Sequence, residues 1–219
     1  MPQTLTKTQN TLSITLPKSS LSFTFPTTES DIANGYVIAT IPSGSRVNTG
    51  YHWHETHSEF HKVLSGRALI TLDGITREYT PQDDEIVIRP FVKHLIRRAD
   101  AFRPEGELGD REDLVLRERT EPADREKEVF FRNGISALID ANGGPGQMGP
   151  RLFVQGLAMF SETDMYPVVT ENGPTWFGRY ATYAMILLGV ILAKIFGIKG
   201  IYDEYTPGEL KATVGKKDA

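Results

Sequence analysis

The chain of 219 residues contains no cysteine. That absence removes a disulfide framework, a thiolate metal site and a cysteine nucleophile together, and it fits a reducing, intracellular and cytoplasmic setting. Excess positive charge is missing as well: 24 Lys and Arg face 28 Asp and Glu, for a net charge of −4. A chain of this balance, with a pI near 5.8 and no basic helix-turn-helix pattern, lacks the footprint of a nucleic-acid partner. The opening residues, MPQTLTKTQNTLSITLPKSS, hold no basic segment followed by an apolar core, so no signal peptide is expected. Internal repeats are absent, and one apolar run, YATYAMILLGVILA at 180–193, goes without charge for fourteen residues. Histidine is scarce, with five in the chain.

What is present is a run of short alternating segments. TLSITL and SLSFTF place Leu12, Ile14, Leu16, Leu21, Phe23 and Phe25 at period two, the pattern of half-buried strands. YVIATI, YHWH, EFHKVLSG, RALITLDG, ITREYT, EIVIRP, HLIRRA and LVLRERT follow, punctuated by Gly66, Asp73-Gly74, Pro81-Gln82-Asp83-Asp84 and Pro90. Many short strands at this spacing predict a sandwich or barrel over 1–121. A helix is expected in PADREKEVFFRNGISALIDANGG, stopped by Gly143-Gly144, a second in PRLFVQGLAMFSETD and a third in the apolar run. A helical extension over 122–205 therefore follows the β-rich body, and the polar stretch 206–219 is expected to fray.

Four of the five histidines and two glutamates crowd into GYHWHETHSEFHKVLSG, residues 50–66. On a strand His52 and His54 share a face, and on the next so do Glu59, His61 and Val63. If both faces point inward, His52, His54, Glu59 and His61 converge, a donor set suited to iron, manganese, zinc, nickel or copper. The bland alternative is a solvated His- and Glu-rich strand. His57 falls in the polar turn ETHS and is expected at the surface. Trp53 and Phe60 point the other way, towards packing under the helices.

The stretch resembles the first motif of the cupin superfamily: His-x-His, a short gap, Glu, six residues, Gly, matched by His52, His54, Glu59 and Gly66. DDEIVIRPFVKH, 83–94, resembles the second motif, with Pro90 in the turn and His94 as a further ligand. Departures fall on turns: Arg46 stands where motif one opens on glycine, Asp83-Asp84 replace Gly-Asp, and Phe91 replaces a turn glycine. The resemblance implies a jelly-roll β-barrel enclosing a cavity, with His52, His54, Glu59 and His94 as ligands. It implies a divalent transition metal, iron first, with manganese, zinc, nickel or copper as alternatives. His61 is left as a proton-transfer residue or a packed polar neighbour.

Such a site implies a metal-dependent enzyme acting on a small organic molecule by dioxygenase- or oxidase-type chemistry, similar to single-domain cupins of microbial secondary metabolism. A metal-dependent isomerase or cyclase, and a non-catalytic small-molecule-binding cupin, are the alternatives. A homo-oligomer is expected by the same resemblance. For the apolar run three readings stand: a helix buried on the barrel or a partner, membrane association through 176–199, where Trp176, Phe177, Arg179, Tyr180, Lys199 and Tyr202 flank it, or a lid. Arg89, Phe91 and Arg97 are candidates for the cavity mouth.

Overall fold

The computed structural model describes residues 5–102, 112–141, 148–170 and 175–213. Alternation becomes strand wherever one face has a core to meet. Ser13–Thr15 (β1) pairs antiparallel with Ser22–Thr24 (β2), and Ile14, Phe23 and Phe25 turn inward. A short helix, Glu29–Asn34 (α1), then intervenes, although no periodicity announces it. The Thr28 side chain accepts the Asp31 amide at 3.1 Å, and Gly35 closes the helix at φ 63°.

Val37–Ile41 (β3), His52–Trp53 (β4), Ser58–Ser65 (β5), Ala68–Leu72 (β6), Ile75–Tyr79 (β7), Ile86–Ile88 (β8), His94–Arg98 (β9) and Leu114–Glu121 (β10) complete the body. A two-residue strand, Tyr166–Pro167 (β11), joins later. They form two antiparallel sheets, in the orders β1-β2-β3-β10-β5-β8 and β11-β4-β9-β6-β7. Strands distant in sequence lie side by side, β10 between β3 and β5, as the crossing connections of a jelly roll require. Phe23, Ile41, Val63, Ile70, Ile96 and Leu116 fill the space between the sheets.

Gly66 earns its place in motif one by geometry. Its φ is +72°, and a Cβ there would lie 2.8 Å from the Asp113 carbonyl oxygen. No other residue lets β5 turn into β6 so close to β10.

Three helices cover one end: Glu126–Asp140 (α2), Pro150–Glu162 (α3) and Thr175–Phe196 (α4). Helix α2 starts later than the sequence implies, after a cis Glu121–Pro122 peptide and Arg125 at φ 64°. It ends at Asp140, and the stop expected at Gly143-Gly144 lies outside the described residues. Its Phe131, Ile135 and Leu138 join the barrel core. Helix α4 extends the apolar run to 22 residues, long and apolar enough by length and composition to cross a membrane. It is not buried as a whole. Thr182, Ile186, Gly189 and Ala193 are its buried residues, and it packs along α3. A Cβ on Gly189 would sit 2.2 Å from Leu157 Cβ, so this glycine lets the two helices touch.

The expectation of a frayed C-terminal tail is corrected as far as residue 213. Tyr205, Thr206 and Leu210 are buried. The Tyr205 hydroxyl donates to Asp140 at 2.6 Å, and the Asn133 side chain donates to Thr206 Oγ1 at 2.9 Å. The Glu204 carbonyl accepts the amides of Thr8 and Gln9, so the two ends of the chain clasp over α2. Aromatic and hydroxyl groups with partners in a distant segment overrule a polar composition. Residues 214–219 lie outside the description.

Candidate metal centre

The strand pairing assembles the site from both sheets. In the five-stranded sheet His52 on β4 stands in register with His94 on β9, with ring centroids 4.0 Å apart. His54 follows β4 directly. From the facing sheet β5 sends Glu59, His61 and Val63 inward, and all three are buried. The four residues of the two motifs each place one donor atom within 4.8 Å of the others.

The hydrogen bonds around this cluster fix which nitrogens face it. His52 Nδ1 bonds the Gly50 carbonyl at 3.0 Å, His94 Nδ1 bonds that of Val92 at 3.0 Å, and His54 Nδ1 bonds that of Asp164. A carbonyl only accepts, so each Nδ1 carries the hydrogen and each Nε2 keeps its lone pair. His54 Nε2, His94 Nε2 and Glu59 Oε2 are buried with no hydrogen-bond partner among the described residues. Buried polar atoms left in this way are uncommon in a folded chain.

The residues fit a divalent ion. Glu59 Oε2 is 2.8 Å from His94 Nε2 and 3.5 Å from His54 Nε2. Two donors each about 2.0–2.2 Å from one ion lie about 3 Å apart at right angles. Three neutral imidazoles and one carboxylate suit a first-row ion, and they leave positions open on a six-coordinate one.

Burial keeps these imidazoles neutral. It lowers His54 to about 3 and His94 to about 4, and it drives His52 well below its usual value, aided by His94 and His54. A depressed folded-state pKa means that the unfolded chain takes up protons first as pH falls. The stability these groups supply is complete above about pH 6.5 and is lost progressively as pH drops through their folded values. The melting temperature of metal-free protein is therefore expected to fall by several degrees between pH 7 and pH 4.5, with metal affinity falling in parallel. Thermal scans and metal titrations across that window check this; a flat profile in both contradicts it.

His61 sits beside the four. Its Nε2 is 3.0 Å from Glu59 Oε2 and its Nδ1 is 4.0 Å from Glu118 Oε1, and neither nitrogen has a hydrogen-bond partner among the described residues. Glu118, on the inward face of β10, and Lys127, in the first turn of α2, escape the sequence reading. The Lys127 ammonium donates to Glu118 Oε2 at 3.0 Å and contacts Glu59 Oε1. Burial lowers Lys127 to about 7 and raises Glu118, bringing their proton affinities towards each other. An inward-facing glutamate in the alternation of LVLRERT was the only available signal.

His57 is corrected from surface turn to buried link. Its Nδ1 bonds Asp164 Oδ2 at 2.8 Å and its Nε2 bonds Asp124 Oδ2 at 3.2 Å. Burial alone would lower its pKa, but the two carboxylates outweigh it and raise His57 to about 10. Asp164 also accepts the amides of Glu55, Thr56 and His57 at 2.9–3.0 Å. Asp164, two residues past the end of α3, thus holds the β4–β5 turn by its carboxylate and orients His54 by its carbonyl. Trp53 is buried and stacks on Tyr166, while Phe60 lies under the Arg119 guanidinium at 3.8 Å.

A cavity of about 460 Å³ opens from this floor towards the helices. His52, Glu59, His61, Glu118 and Lys127 line its base, and the walls are apolar, among them Phe23, Leu116, Phe131, Phe160 and Met185. None of Arg89, Phe91 and Arg97 is among its lining residues. Helices α2 and α3 form much of the wall, so the C-terminal part encloses the cavity along with the barrel.

No family model matches the chain. Among curated proteins it is 25% identical over 180 residues to "Probable oxidoreductase yanE" of Aspergillus niger, covering 80% of this chain and 64% of that one. It is 25% identical to "Oxidoreductase macE" of Penicillium terrestre (74% and 58% covered) and 26% identical to "Epoxidase atD" of Aspergillus terreus (71% and 46%). The chain thus spans between 46% and 64% of the length of these relatives. Among solved structures, an RmlC-like cupin from Shewanella frigidimarina aligns over 51% of this chain and 83% of its own at 20% identity, with a TM-score of 0.35. A predicted oxalate decarboxylase from Thermotoga maritima aligns over 46% and 78% at 17% identity, also with a TM-score of 0.35. Two facing antiparallel sheets bring His52, His54 and Glu59 of one motif against His94 of the other, with a helical C-terminal third built onto the barrel.

Proposed function

We propose that the protein is a metal-dependent oxidoreductase of dioxygenase type, acting on a small and largely apolar organic molecule. The observation that carries this reading is the buried cluster of three oriented imidazoles and a carboxylate oxygen without a hydrogen-bond partner among the described residues, of which His52 and Glu59 line the base of an apolar-walled cavity. His52, His54, Glu59 and His94 would hold the ion, iron first among the candidates. A bound redox-active ion would supply the binding and activation of dioxygen.

The chain's own residues do the rest. A volume of about 460 Å³ falls within the range of sites for drug-sized molecules. Its hydrocarbon walls select against sugars and nucleotides and exclude water from the reacting end. Lys127, Glu118 and His61 stand at the base, within reach of a polar group on a substrate seated over the ion. Lys127, brought near neutrality by burial, can hold or release a proton at Nζ. The names of the fungal relatives support oxidative chemistry, and placing both atoms of dioxygen in the product balances without an added reductant.

The test is turnover of a panel of apolar phenols and alkenes by metal-reconstituted protein, in air and without oxygen, followed by mass spectrometry. The expected product is heavier than its substrate by two oxygen atoms, forms only in air and vanishes with His52→Ala. A product of unchanged mass formed equally well without oxygen would instead make the protein an isomerase or cyclase.

A further inference from the structure

Helix α4 has two apolar sides, and the fold uses one of them. Thr182, Ile186, Gly189 and Ala193 recur at helical spacing and are buried, Gly189 against Leu157 and Ala193 with Ala158 of α3, and Thr182 against Pro167. On the opposite side Trp176, Tyr180, Leu187, Leu188, Ile191 and Ile195 are each 47–67% exposed. Six large apolar side chains aligned along one exposed helix face exceed the scatter of single apolar residues on an ordinary surface.

The charges that this segment itself carries have one sign. From Glu171 to Asp203 the sequence contains no acidic residue between them, but it holds Arg179, Lys194 and Lys199, in a chain whose net charge is −4. Glu55 meets Tyr183 on the inner flank and Glu162 lies near the end of the segment, but an apolar strip on a helix whose own charges are all cationic complements an anionic lipid surface. Trp176 and Tyr180 cluster at one end, with rings 6.4 Å apart, and such side chains favour the boundary between headgroups and acyl chains. Pairing with a second copy is disfavoured by the same charges. An antiparallel helix pair about a two-fold axis near Leu187 would bring Arg179 of one copy beside Lys194 of the other.

We propose that the outer face of α4 seats the protein on the surface of an anionic bilayer, with the helix lying in the interface. It does not span, because its other side stays docked on α3, where Gly189 meets Leu157 too closely for a Cβ. Met185 of this helix also lines the cavity, so the element that meets lipid is part of the wall around the site.

The test is co-sedimentation of the full chain with vesicles of phosphatidylcholine and phosphatidylserine, at roughly three to one. Trp176 fluorescence is read in parallel, Trp53 being buried and constant. The wild type is expected to pellet with the vesicles and its emission to shift to the blue. The triple variant Leu187→Gln, Ile191→Gln, Ile195→Gln changes exposed positions only and should melt as the wild type does. Its partition should fall about tenfold or more, and Lys194→Gln with Lys199→Gln should weaken binding several-fold. Equal partition of wild type and triple variant would overturn the proposal. So would a wild type that ignores vesicles but forms a dimer by sedimentation velocity that the triple variant breaks, since the face would then be a self-interface.

Discussion

Replacing His94 with alanine is expected to abolish stoichiometric metal binding while leaving the barrel folded. The loss should exceed the roughly 10–100-fold fall in affinity that removing an outer hydrogen-bond partner of a ligand produces, because a donor itself is gone. His94 Nε2 is buried, without a hydrogen-bond partner among the described residues, and 2.8 Å from Glu59 Oε2. His52→Ala should behave alike. His61→Gln should not, since His61 also borders Glu118 and lies outside the four-residue set; it is expected to keep the metal and lose turnover. Elemental analysis of the three variants beside the wild type, with thermal melts to show that each is folded, decides the matter. Equal metal loss in His61→Gln would move His61 into the ligand set, and one metal per chain in His94→Ala would remove His94 from it.

Much of this centre was legible because its parts are local. His52, His54, Glu59 and Gly66 lie within fifteen residues, and period two alone gives His52 and His54 one face and Glu59 and His61 another. His94 was legible only through the motif, since nothing in VKHLI declares a partner on β4. The departures at turns also proved local. Phe91, where glycine is common, adopts φ 68°, and its amide donates to the His54 carbonyl at 2.7 Å, so the turn keeps its shape despite the side chain. Glu118, Lys127 and Asp164 were not legible. Lys127 sits in REKE, which reads as the solvated start of a helix, and Asp164 in SETD, which reads as a polar helix end. Each acquires its role from a partner far along the chain; Asp164 and His57 are 107 residues apart. His57 was misread for the same reason, because ETHS is a surface turn until two carboxylates arrive from elsewhere. Helix α4 was half legible: composition announced an apolar helix, but only the fold shows that α3 covers one side of it.

Lys127→Met is expected to have the second large effect, and it separates two roles that the geometry alone superimposes. Removing the ammonium leaves Glu59 and Glu118 buried without their cation, and breaking a buried pair in this way costs about 3–5 kcal/mol. For a chain of this size that corresponds to roughly 6–20 °C in melting temperature. Metal should restore part of the loss, because a cation among the imidazoles offsets the Glu59 charge but reaches Glu118 less. Adding Glu118→Gln to Lys127→Met removes the remaining unpaired charge, and the double variant should recover most of the stability without metal. Activity then distinguishes the roles. If Lys127 carries a proton to the substrate, the double variant melts near the wild type yet turns over more slowly by about 10²–10⁴-fold. If Lys127 only neutralises the two carboxylates, turnover returns together with stability, and the proton must come from His61, which faces the same cavity.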